Sequence, residues 1–298
     1  MSEHGADPAT DSFVAHRNLL FTVAYEMLGS AADAEDVLQE VWLRWVEVDV
    51  EQVRDHRAYL VRITTRQALN RLRALNRRKE AYVGPWLPEP MLTAPDVAQD
   101  VELADSVSMA MMLVLETLSP TERAVFVLRE AFDVGYEEIA EAVDKSPAAV
   151  RQIAHRARRH VDARRPRRVV SSSEARAALE SFRRSLETGD LQGLFDVLAP
   201  SVVYIGDGGG VKQAAPRPIV GIDKVARLMA AVAGRIGSTL ELGPTMVNGT
   251  PALLVRMDGA VDGILAVSVE EGRITGIYFV RNPQKLTHVD SETPLTLR

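Results

Sequence analysis

Apolar side chains recur near the start of the chain at the three- and four-residue spacing of an amphipathic helix. The segment DAEDVLQEVWLRWVEV begins at Asp33, and either Ser30 or Asp33 can cap its start. The predicted inward stripe consists of Ala34, Val37, Leu38, Val41 and Trp45. The opposite face gathers Asp36, Gln39, Glu40, Leu43 and Glu47. A leucine among carboxylates indicates either a solvated face or a docking surface for a basic, partly apolar protein.

A second helical pattern covers residues 59–73 and carries one basic face. The side predicted to be buried holds Val61, Thr64, Ala68 and Leu72. The outward side holds Arg62, Arg66, Asn70 and Arg73. Like charges on one face repel each other unless an anion meets them, so we interpret the arginines as contacts for a phosphate backbone. Asn70 is suited to reading a base edge.

The run AYVGPWLPEPMLTAPD interrupts the helical pattern. It contains four prolines, a density that excludes a regular helix and favours an extended linker. Trp86 and Leu87 are too apolar for a tether that is wholly solvated. We therefore expect these two side chains to dock on a folded part of the chain.

A helix-turn-helix is predicted after the linker. Ser119-Pro120-Thr121-Glu122 forms a capping box for a helix that runs to about Phe132, a second helix covers 136–143, and Ser146 caps a third. In the third helix Val150, Ile153 and Ala157 are predicted to be buried. Its outward residues are Ala148, Arg151, Gln152, His155, Arg156, Arg158 and Arg159. Such a helix would enter the major groove of DNA, where it reads bases and neutralises phosphates.

Charge is segregated along the chain, although the net charge is only −6 over 298 residues. Residues 54–79 hold nine basic residues and one acidic residue, and residues 145–168 hold the same numbers. Residues 1–53 hold two basic and eleven acidic residues, and residues 80–144 hold two and fourteen. Local charge governs contact with phosphates, so two separate nucleic-acid surfaces are compatible with an acidic protein.

Composition excludes several classes of protein. The chain has no cysteine, which rules out disulfides, thiolate zinc sites and thiol nucleophiles, and its six histidines show no metal-ligand spacing. We therefore expect no metal and no cofactor. The sequence contains neither an apolar run of 18 residues nor a signal-peptide pattern at its start, so we expect a soluble cytoplasmic protein without membrane contact.

Residues 169–298 predict an α+β domain. Two amphipathic helices, 174–188 and one capped by Asp190, precede a strand at 202–205 and a helix capped by Asp223. Four further strands are predicted at 239–247 (with a possible break at Gly243-Pro244), 252–257, 260–269 and 273–280. Their connections, Asn248-Gly249, Asp258-Gly259 and Glu271-Gly272, are hairpin turns. The predicted fold class is multidomain, with two all-α domains followed by an α+β domain.

The order of acidic helix, basic helix, linker and helix-turn-helix resembles the extracytoplasmic-function (group IV) sigma factors of bacterial RNA polymerase. DAEDVLQEVWLRW looks like their polymerase-binding helix, AYLVRITTRQALNRLRALNRR like their segment for the −10 element, and LSPTERAVFVLREAFDVGYEEIAEAVDKSPAAVRQIAHRARRHV like their domain for the −35 element. The resemblance implies a transcription initiation factor that has no enzymatic activity. It places Asp33, Glu35, Asp36, Gln39 and Glu40 on core RNA polymerase. It places Arg62, Arg66, Asn70 and Arg73 on the −10 strand, and the 148–159 face on the −35 duplex.

The remainder of the chain resembles the SnoaL-like group of the nuclear-transport-factor-2-like (NTF2-like) fold, a cone with one open mouth. Some extracytoplasmic-function sigma factors carry such a domain, together with a Trp-Leu-Pro-Glu-Pro linker, a DGGG loop and an Asn-Pro-x-Lys-Leu tail. The corresponding residues here are Trp86, Pro88, Glu89, Pro90, Asp207, Gly208, Gly209, Gly210, Lys212, Asn282, Pro283, Lys285 and Leu286. The resemblance implies that the C-terminal domain contacts the 11–79 domain or the linker through these residues and regulates the factor in cis at stress or specialised promoters.

The sequence therefore predicts a polymerase-binding and −10-binding domain at 1–80, a linker at 81–104, a helix-turn-helix domain at 105–168 and a regulatory domain at 169–298. One alternative is a stand-alone helix-turn-helix regulator with a ligand-binding cone. Another is an enzyme that uses Asp207, Tyr204 and His288 as acid–base groups in the cone. Since no self-complementary apolar patch is evident, we expect a monomer when the protein is free.

Overall fold

The chain folds into two compact units. The computed structural model describes residues 8–79, 82–94, 101–164, 170–233, 239–287, 289 and 293–296. The helical unit comprises residues 1–78, 114–164 and 294–298, and the sheet unit comprises 79–113 and 165–293. The segment predicted as a linker, 81–104, therefore lies in the same compact unit as the C-terminal sheet. Residues 105–113, which we assigned to the helix-turn-helix domain, lie there too.

The helices of the N-terminal half are bounded as follows. The elements are α1 (Pro8–Leu28), α2 (Ala31–Trp45), a 3₁₀ turn at Val50–Gln52, α3 (His56–Lys79), α4 (Val101–Val107), α5 (Met109–Leu115), α6 (Pro120–Phe126), a π-helical turn at Val127–Ala131, α7 (Tyr136–Val143) and α8 (Pro147–Asp162). The Ser30 hydroxyl accepts the Asp33 amide N–H at the start of α2, and the predicted stripe of α2 is wholly buried. At the end of this stripe the Trp45 indole N–H donates to the Ala9 carbonyl at 2.8 Å and ties α2 to α1.

The helix-turn-helix begins as its sequence predicts. The capping box at Ser119 and Glu122 is formed in both directions, and Ser146 caps α8. The prediction that Ile153 is buried was wrong, since this side chain is half-exposed and Ala154 is buried in its place. The buried stripe runs through Val150, Ala154, Ala157 and Val161, which follow the spacing of one straight helical face.

The sheet unit holds a six-stranded sheet in the order β2-β1-β6-β5-β4-β3. Its elements are α9 (Ser172–Thr188), α10 (Leu191–Val197), β1 (Leu198–Asp207), β2 (Ile219–Val220), α11 (Ile222–Ala233), β3 (Leu240–Val247), β4 (Thr250–Met257), β5 (Ala260–Glu270), β6 (Arg273–Val280) and a 3₁₀ turn at Pro283–Lys285. β1 runs parallel to β6, and the other neighbours are antiparallel. β1 is longer than predicted, and β2 is too short to show a periodicity in the sequence.

The prediction of a possible break in the strand at Gly243-Pro244 was wrong. β3 pairs with β4 without a register shift, and Pro244 lies opposite Leu253. Proline is tolerated there because β3 ends the sheet, and an edge strand does not need every N–H for its ladder. The predicted hairpin turns are confirmed, since both residues of each turn have positive φ, as at Asn248 (53°) and Gly249 (69°).

Each face of the sheet has its own core. On one face the helices α9, α10 and α11 pack through Phe182, Leu194 and Met229. On the other face Leu87 of the linker and Met109 of α5 pack against Ala252, Ile264, Ala266 and Val280 of the sheet. The predicted fold class, two all-α parts followed by an α+β part, is confirmed. In the part of the chain that the structure describes, no helix is long and apolar enough to cross a membrane.

Candidate functional site

The outward face of α2 is exposed as predicted, and it divides into two parts. Gln39, Glu40 and Leu43 are exposed, and Leu43 keeps 63% of its surface accessible. The three acidic residues nearer the helix start are engaged within the helical unit instead. Asp33 and Asp36 pair with Arg71 of α3 at 2.7 and 2.5 Å, and Glu35 accepts two hydrogen bonds from Arg17 of α1 at 2.8 Å. No local pattern in the sequence distinguishes Arg17 or Arg71 from other arginines.

The basic face of α3 lies where the sequence predicts it. Val61, Thr64, Ala68 and Leu72 are buried, whereas Arg66, Asn70 and Arg73 are exposed and Arg62 is half-exposed. The four outward residues share one helical face. Asn70 and Arg73 form a weak side-chain contact of 3.5 Å with each other.

Two arginines of this face already have a partner on α7 inside the helical unit, a carboxylate for Arg62 and a backbone carbonyl for Arg66. The Arg62 guanidinium lies 2.8 Å from the Glu141 carboxylate of α7, and Arg66 donates to the Glu141 carbonyl at 2.6 Å. A cavity of about 370 Å³ adjoins this contact and is lined by Arg62, Glu138 and Glu141 together with the 52–59 segment. A nucleic-acid strand that uses Arg62 therefore has to compete with Glu141.

The outward face of α8 is fully accessible. Ala148, Arg151, Gln152, His155, Arg156, Arg158 and Arg159 are all exposed. Surface ion pairs orient three of the arginines: Arg151 with Glu137 at 2.9 Å, Arg158 with Glu130 at 2.6 Å and Arg156 with Glu122 at 3.7 Å. Exposed pairs of this kind contribute roughly 0–1 kcal/mol, so they cost little to exchange for phosphate contacts.

A second set of predicted residues converges in the sheet unit around Asp207. The Asp207 side chain is entirely buried and accepts hydrogen bonds from the Tyr82 hydroxyl (2.7 Å), the Leu87 amide (2.9 Å) and the Gly209 amide (3.0 Å). The Lys285 ammonium lies 2.7 Å from the same carboxylate. One buried carboxylate thus joins the linker, the DGGG loop and the Asn-Pro-x-Lys-Leu tail.

Aromatic rings of the linker enclose the Lys285 ammonium. It lies 4.1 Å from the centroid of the Trp86 ring and 4.9 Å from that of Tyr82, and it donates to the Leu87 carbonyl. A cation over aromatic faces is attracted by the ring quadrupoles, more strongly once water is excluded. Burial, followed by the hydrogen bond to Asp207, raises the pKa of Tyr82 above its ordinary value, so this hydroxyl remains a donor at neutral pH.

Glycine is required where the loop meets the tail. A Cβ on Gly209 would lie 2.4 Å from the Asn282 side chain, and φ at Gly209 is +62°. The Asn282 amide in turn donates to the Tyr82 hydroxyl at 2.8 Å. A Cβ on Gly210 would lie 3.3 Å from the Val83 side chain, and a Cβ on Gly208 would overlap the Lys212 carbonyl. The close approach of backbone to side chain explains why three consecutive glycines occupy this loop.

The other predicted residues of this set are placed as follows. Pro88, Glu89 and Pro90 are buried, Leu286 is half-buried and Pro283 is exposed. Lys212 pairs with Asp262 at 3.0 Å and takes no part in the Asp207 cluster. His288, the third acid–base residue of the enzymatic alternative, lies outside the described residues.

Sequence reasoning missed a second anchor of the linker at the β3–β4 turn. The Asn248 side chain is fully buried, accepts the Met91 amide at 2.9 Å and donates to the Val107 carbonyl at 2.8 Å. The Thr93 amide donates to the Met246 carbonyl, so the linker lies along the edge strand β3. Asn248 was interpreted only as a turn residue, and nothing local in the sequence distinguishes it from Asp258 in the next hairpin.

The enzymatic alternative fails on geometry. Alternate residues of a strand point to opposite faces of the sheet, and Tyr204 belongs to the core beneath the helices, whereas Asp207 faces the linker. The carboxylate is fully occupied by four donors. Among the described residues, no group of three or more metal-ligating side chains is placed to hold an ion.

Comparison with known proteins finds relatives both for the two helical segments and for nearly the whole chain. Residues 13–78 match the family described as Sigma-70 region 2, and residues 108–161 match Sigma-70 region 4. The chain is 37% identical to the ECF RNA polymerase sigma factor SigJ of Mycobacterium tuberculosis, with 92% of each chain covered. It is 32% identical to the probable ECF RNA polymerase sigma factor SigI of the same organism, over 98% of this chain and 99% of that one. The crystal structure of Mycobacterium tuberculosis SigJ superposes with a TM-score of 0.77 at 33% identity, covering 96% of this chain and 100% of that one.

Proposed function

The chain belongs to the extracytoplasmic-function (ECF) sigma factors of RNA polymerase, and we propose that it uses α2 to bind core polymerase, α3 to bind the −10 strand and α8 to bind the −35 duplex. The polymerase-binding residues of this proposal are Asp33, Glu35, Asp36, Gln39 and Glu40. The observation that carries it is the outward face of α2, where Leu43 is 63% exposed between Gln39, Glu40 and Glu47. A large apolar side chain within an acidic surface favours a basic partner with an apolar contact point.

Two separate arginine faces support the assignment of the promoter contacts. Arg62, Arg66 and Arg73 of α3 share a face with Asn70, and the outward residues of α8 form the second face. The spacing between the two elements on DNA requires a scaffold, and in this family core polymerase is that scaffold. We keep the functional division of the chain at residues 80, 104 and 168 as part of this proposal.

We further propose that the C-terminal domain regulates the factor in cis through the linker. The linker connects the two promoter-binding domains, and its Leu87 and Met91 side chains are fully buried in the sheet unit. Tyr82, Leu87 and Lys285 are held by one buried carboxylate, that of Asp207. When these contacts are broken, the linker can detach from the sheet unit. The distance between the two DNA-binding domains can then change.

Reconstituted transcription with the full chain, core polymerase and a promoter selected by the holoenzyme tests the proposal. The double variant Glu40→Ala, Leu43→Ala is expected to lose co-migration with core polymerase. The matched variant Glu187→Ala, on α9 of the sheet unit, is expected to retain it. Co-migration of the double variant at unchanged affinity contradicts the role of α2. Specific duplex binding by the chain that does not change when polymerase is added supports a stand-alone regulator instead.

Regulation in cis needs a separate readout. Lys285→Met removes the cation that pairs with Asp207 and is expected to change transcript yield per holoenzyme, with the affinity for core polymerase unchanged. Lys224→Met on the exposed part of α11 is the matched control. Equal yields from the two variants contradict regulation through this cluster and leave the polymerase and promoter assignments standing.

A further inference from the structure

The surface of the sheet unit carries an open groove of about 660 Å³ between α9 and α10. Gly272 of the β5–β6 turn also contributes to its wall. The side of α9 that lines the groove holds Ala177 and Ser181, whereas Phe182 and Leu186 of the same helix belong to the core against the sheet. The groove therefore lies outside the apolar core of this unit.

The groove is acidic, and the described part of the protein does not neutralise it. Its wall carries Glu174, Asp190 and Asp196 against one basic residue, Arg184. Among the described residues no cation forms an ion pair with any of these three carboxylates. Asp196 accepts one hydrogen bond, from the Gln192 amide at 3.0 Å. A cleft lined mainly by one sign of charge concentrates counter-ions, so this groove favours a cation.

Gly193 brings two oxygen atoms of the groove together. It lies within α10 and does not have a positive φ, and at such a position glycine is less favourable than alanine. A Cβ on Gly193 would lie 2.4 Å from Ser185 Oγ and 2.5 Å from Asp190 Oδ2. Glycine is needed here because both oxygens lie beside its Cα, whereas the backbone alone does not require it.

The Ser185 hydroxyl is buried and lacks a partner. Ser185 is only 7% exposed, and no group among the described residues forms a hydrogen bond with its Oγ. Asp190 uses Oδ1 to accept the Gly193 amide at 3.0 Å, which leaves Oδ2 beside the hydroxyl. A buried hydroxyl without a partner is costly, and an N–H donor between the two oxygens would satisfy both. Because one of them belongs to a carboxylate, a cationic donor is favoured.

A second carboxylate lies further along the same groove. Asp196 follows Asp190 by six residues of α10, about 9 Å along the helix at 1.5 Å per residue. The groove wall also contains the aliphatic side chains of Ala178 and Val197. Two acidic positions and an aliphatic wall suit a molecule whose cations are joined by a flexible alkyl chain.

We propose that this groove binds a linear aliphatic polyamine. One ammonium group donates to Ser185 Oγ and Asp190 Oδ2, a second pairs with Asp196, and the alkyl chain lies against Ala178 and Val197. A molecule with a single ammonium group makes only one of these two charge contacts, so the groove selects for at least two. The site lies wholly in the sheet unit and does not depend on the assigned polymerase or promoter contacts.

Isothermal titration calorimetry of the full chain with spermidine tests the site. Saturable binding of one molecule is expected, and butylamine, with one charge, is expected to bind roughly fivefold more weakly. Asp190→Asn keeps a good helix cap but removes the charge, and it is expected to weaken spermidine binding roughly fivefold. Asp223→Asn, at an exposed position in the first turn of α11, is the matched control and is expected to change nothing. Equal loss in both variants overturns the site, because overall charge then explains the binding.

Gly193→Ala separates the site from fold stability. The added Cβ displaces the Ser185 and Asp190 oxygens, while alanine is the better helix former, so this variant is expected to keep the wild-type melting temperature or exceed it and still lose spermidine binding. Ser185→Ala is expected to weaken binding roughly threefold, the equivalent of one hydrogen bond. The proposal is overturned if spermidine gives no saturable heat at millimolar concentration, or if Gly193→Ala binds it as the wild type does. Tighter binding of a trilysine peptide at the same residues overturns the free polyamine as the occupant.

Discussion

The Lys285 ammonium lies 2.7 Å from the Asp207 carboxylate, and the two residues are 78 positions apart in the sequence. The Asp207 side chain is wholly buried, so the ion pair is desolvated and its loss leaves an unpaired buried charge. Because the same carboxylate also holds Tyr82 and Leu87, the pair fixes the linker to the sheet unit.

Replacement of Lys285 tests the energetic weight of this pair. Lys285→Met keeps the length of the side chain but removes the charge, and we expect it to lower the free energy of unfolding by about 3 kcal/mol, as expected when one partner of a buried pair is deleted. Urea denaturation of the full chain, followed by tryptophan fluorescence, measures the change. Lys224→Met is exposed and is expected to change stability by less than about 0.5 kcal/mol. Equal values for the two variants would show that the pair adds nothing to stability.

Alanine substitutions in the DGGG loop and in the β5–β6 turn distinguish the cost of a steric overlap from the cost of backbone strain. Gly209→Ala and Gly272→Ala both place a side chain at positive φ, +62° and +73°, but only the Cβ at position 209 would meet a neighbour within 4 Å, the Asn282 side chain. We expect Gly272→Ala to cost about 1 kcal/mol and Gly209→Ala clearly more. Hydrogen exchange of the Leu87 amide, which donates to Asp207, is expected to accelerate in Gly209→Ala alone. Equal costs would mean that Asn282 moves away freely.

Local signals were sufficient for α2, α3, the helix-turn-helix and the strands β3 to β6, and for the surfaces that lie on single helices. The capping box at Ser119, the outward arginines of α8 and the paired turn residues at 248–249 each depend on a few neighbouring residues. Partners far apart in the sequence could not be predicted in this way. Arg71 with Asp33, Arg62 with Glu141 and Asn248 with Met91 arise from tertiary packing, which leaves no periodicity in the sequence. The Trp-Leu-Pro-Glu-Pro segment was grouped with the DGGG loop only by resemblance.

The contact between Glu141 and Arg62 predicts that the isolated chain binds single-stranded DNA weakly. Glu141→Gln removes the competing carboxylate and is expected to raise the affinity for a −10 non-template strand about twofold to fivefold, the range of an exposed ion pair. Fluorescence anisotropy with the full chain and a labelled oligonucleotide measures this affinity. Glu138→Gln, on the same helix beside the same cavity, is the matched control. A gain of the same size in the control would assign the effect to net charge alone.

The capping box of α6 predicts a dependence of stability on pH. Hydrogen bonds from Ser119 outweigh partial burial and hold the pKa of Glu122 below its ordinary value of 4.5. The resulting stabilisation is present above the pKa of the unfolded chain and is lost as pH falls through the lower pKa of the folded state. Wild type is therefore expected to be more stable than Glu122→Gln at pH 7, and the difference is expected to shrink below about pH 4. A difference for Glu122→Gln that stays constant down to pH 2 would contradict the prediction.

The arginines of α8 predict the salt dependence of promoter binding. Arg159 is exposed on the outward face, and if it neutralises one phosphate, Arg159→Ala is expected to reduce the slope of log affinity against log salt by about 0.9 in the holoenzyme. The affinity is expected to fall uniformly across promoter sequences, because a phosphate contact carries no base information. Gln152→Ala tests the complementary case: its amide is suited to adenine, so this variant is expected to relax preference at one base pair by about 1–3 kcal/mol with the slope unchanged. Arg227→Ala is the matched control: it removes one positive charge, as Arg159→Ala does, but from α11 of the sheet unit. A lower slope in Arg227→Ala as well would show that overall charge sets the salt dependence, whereas a lower slope in Arg159→Ala alone assigns the phosphate contact to α8.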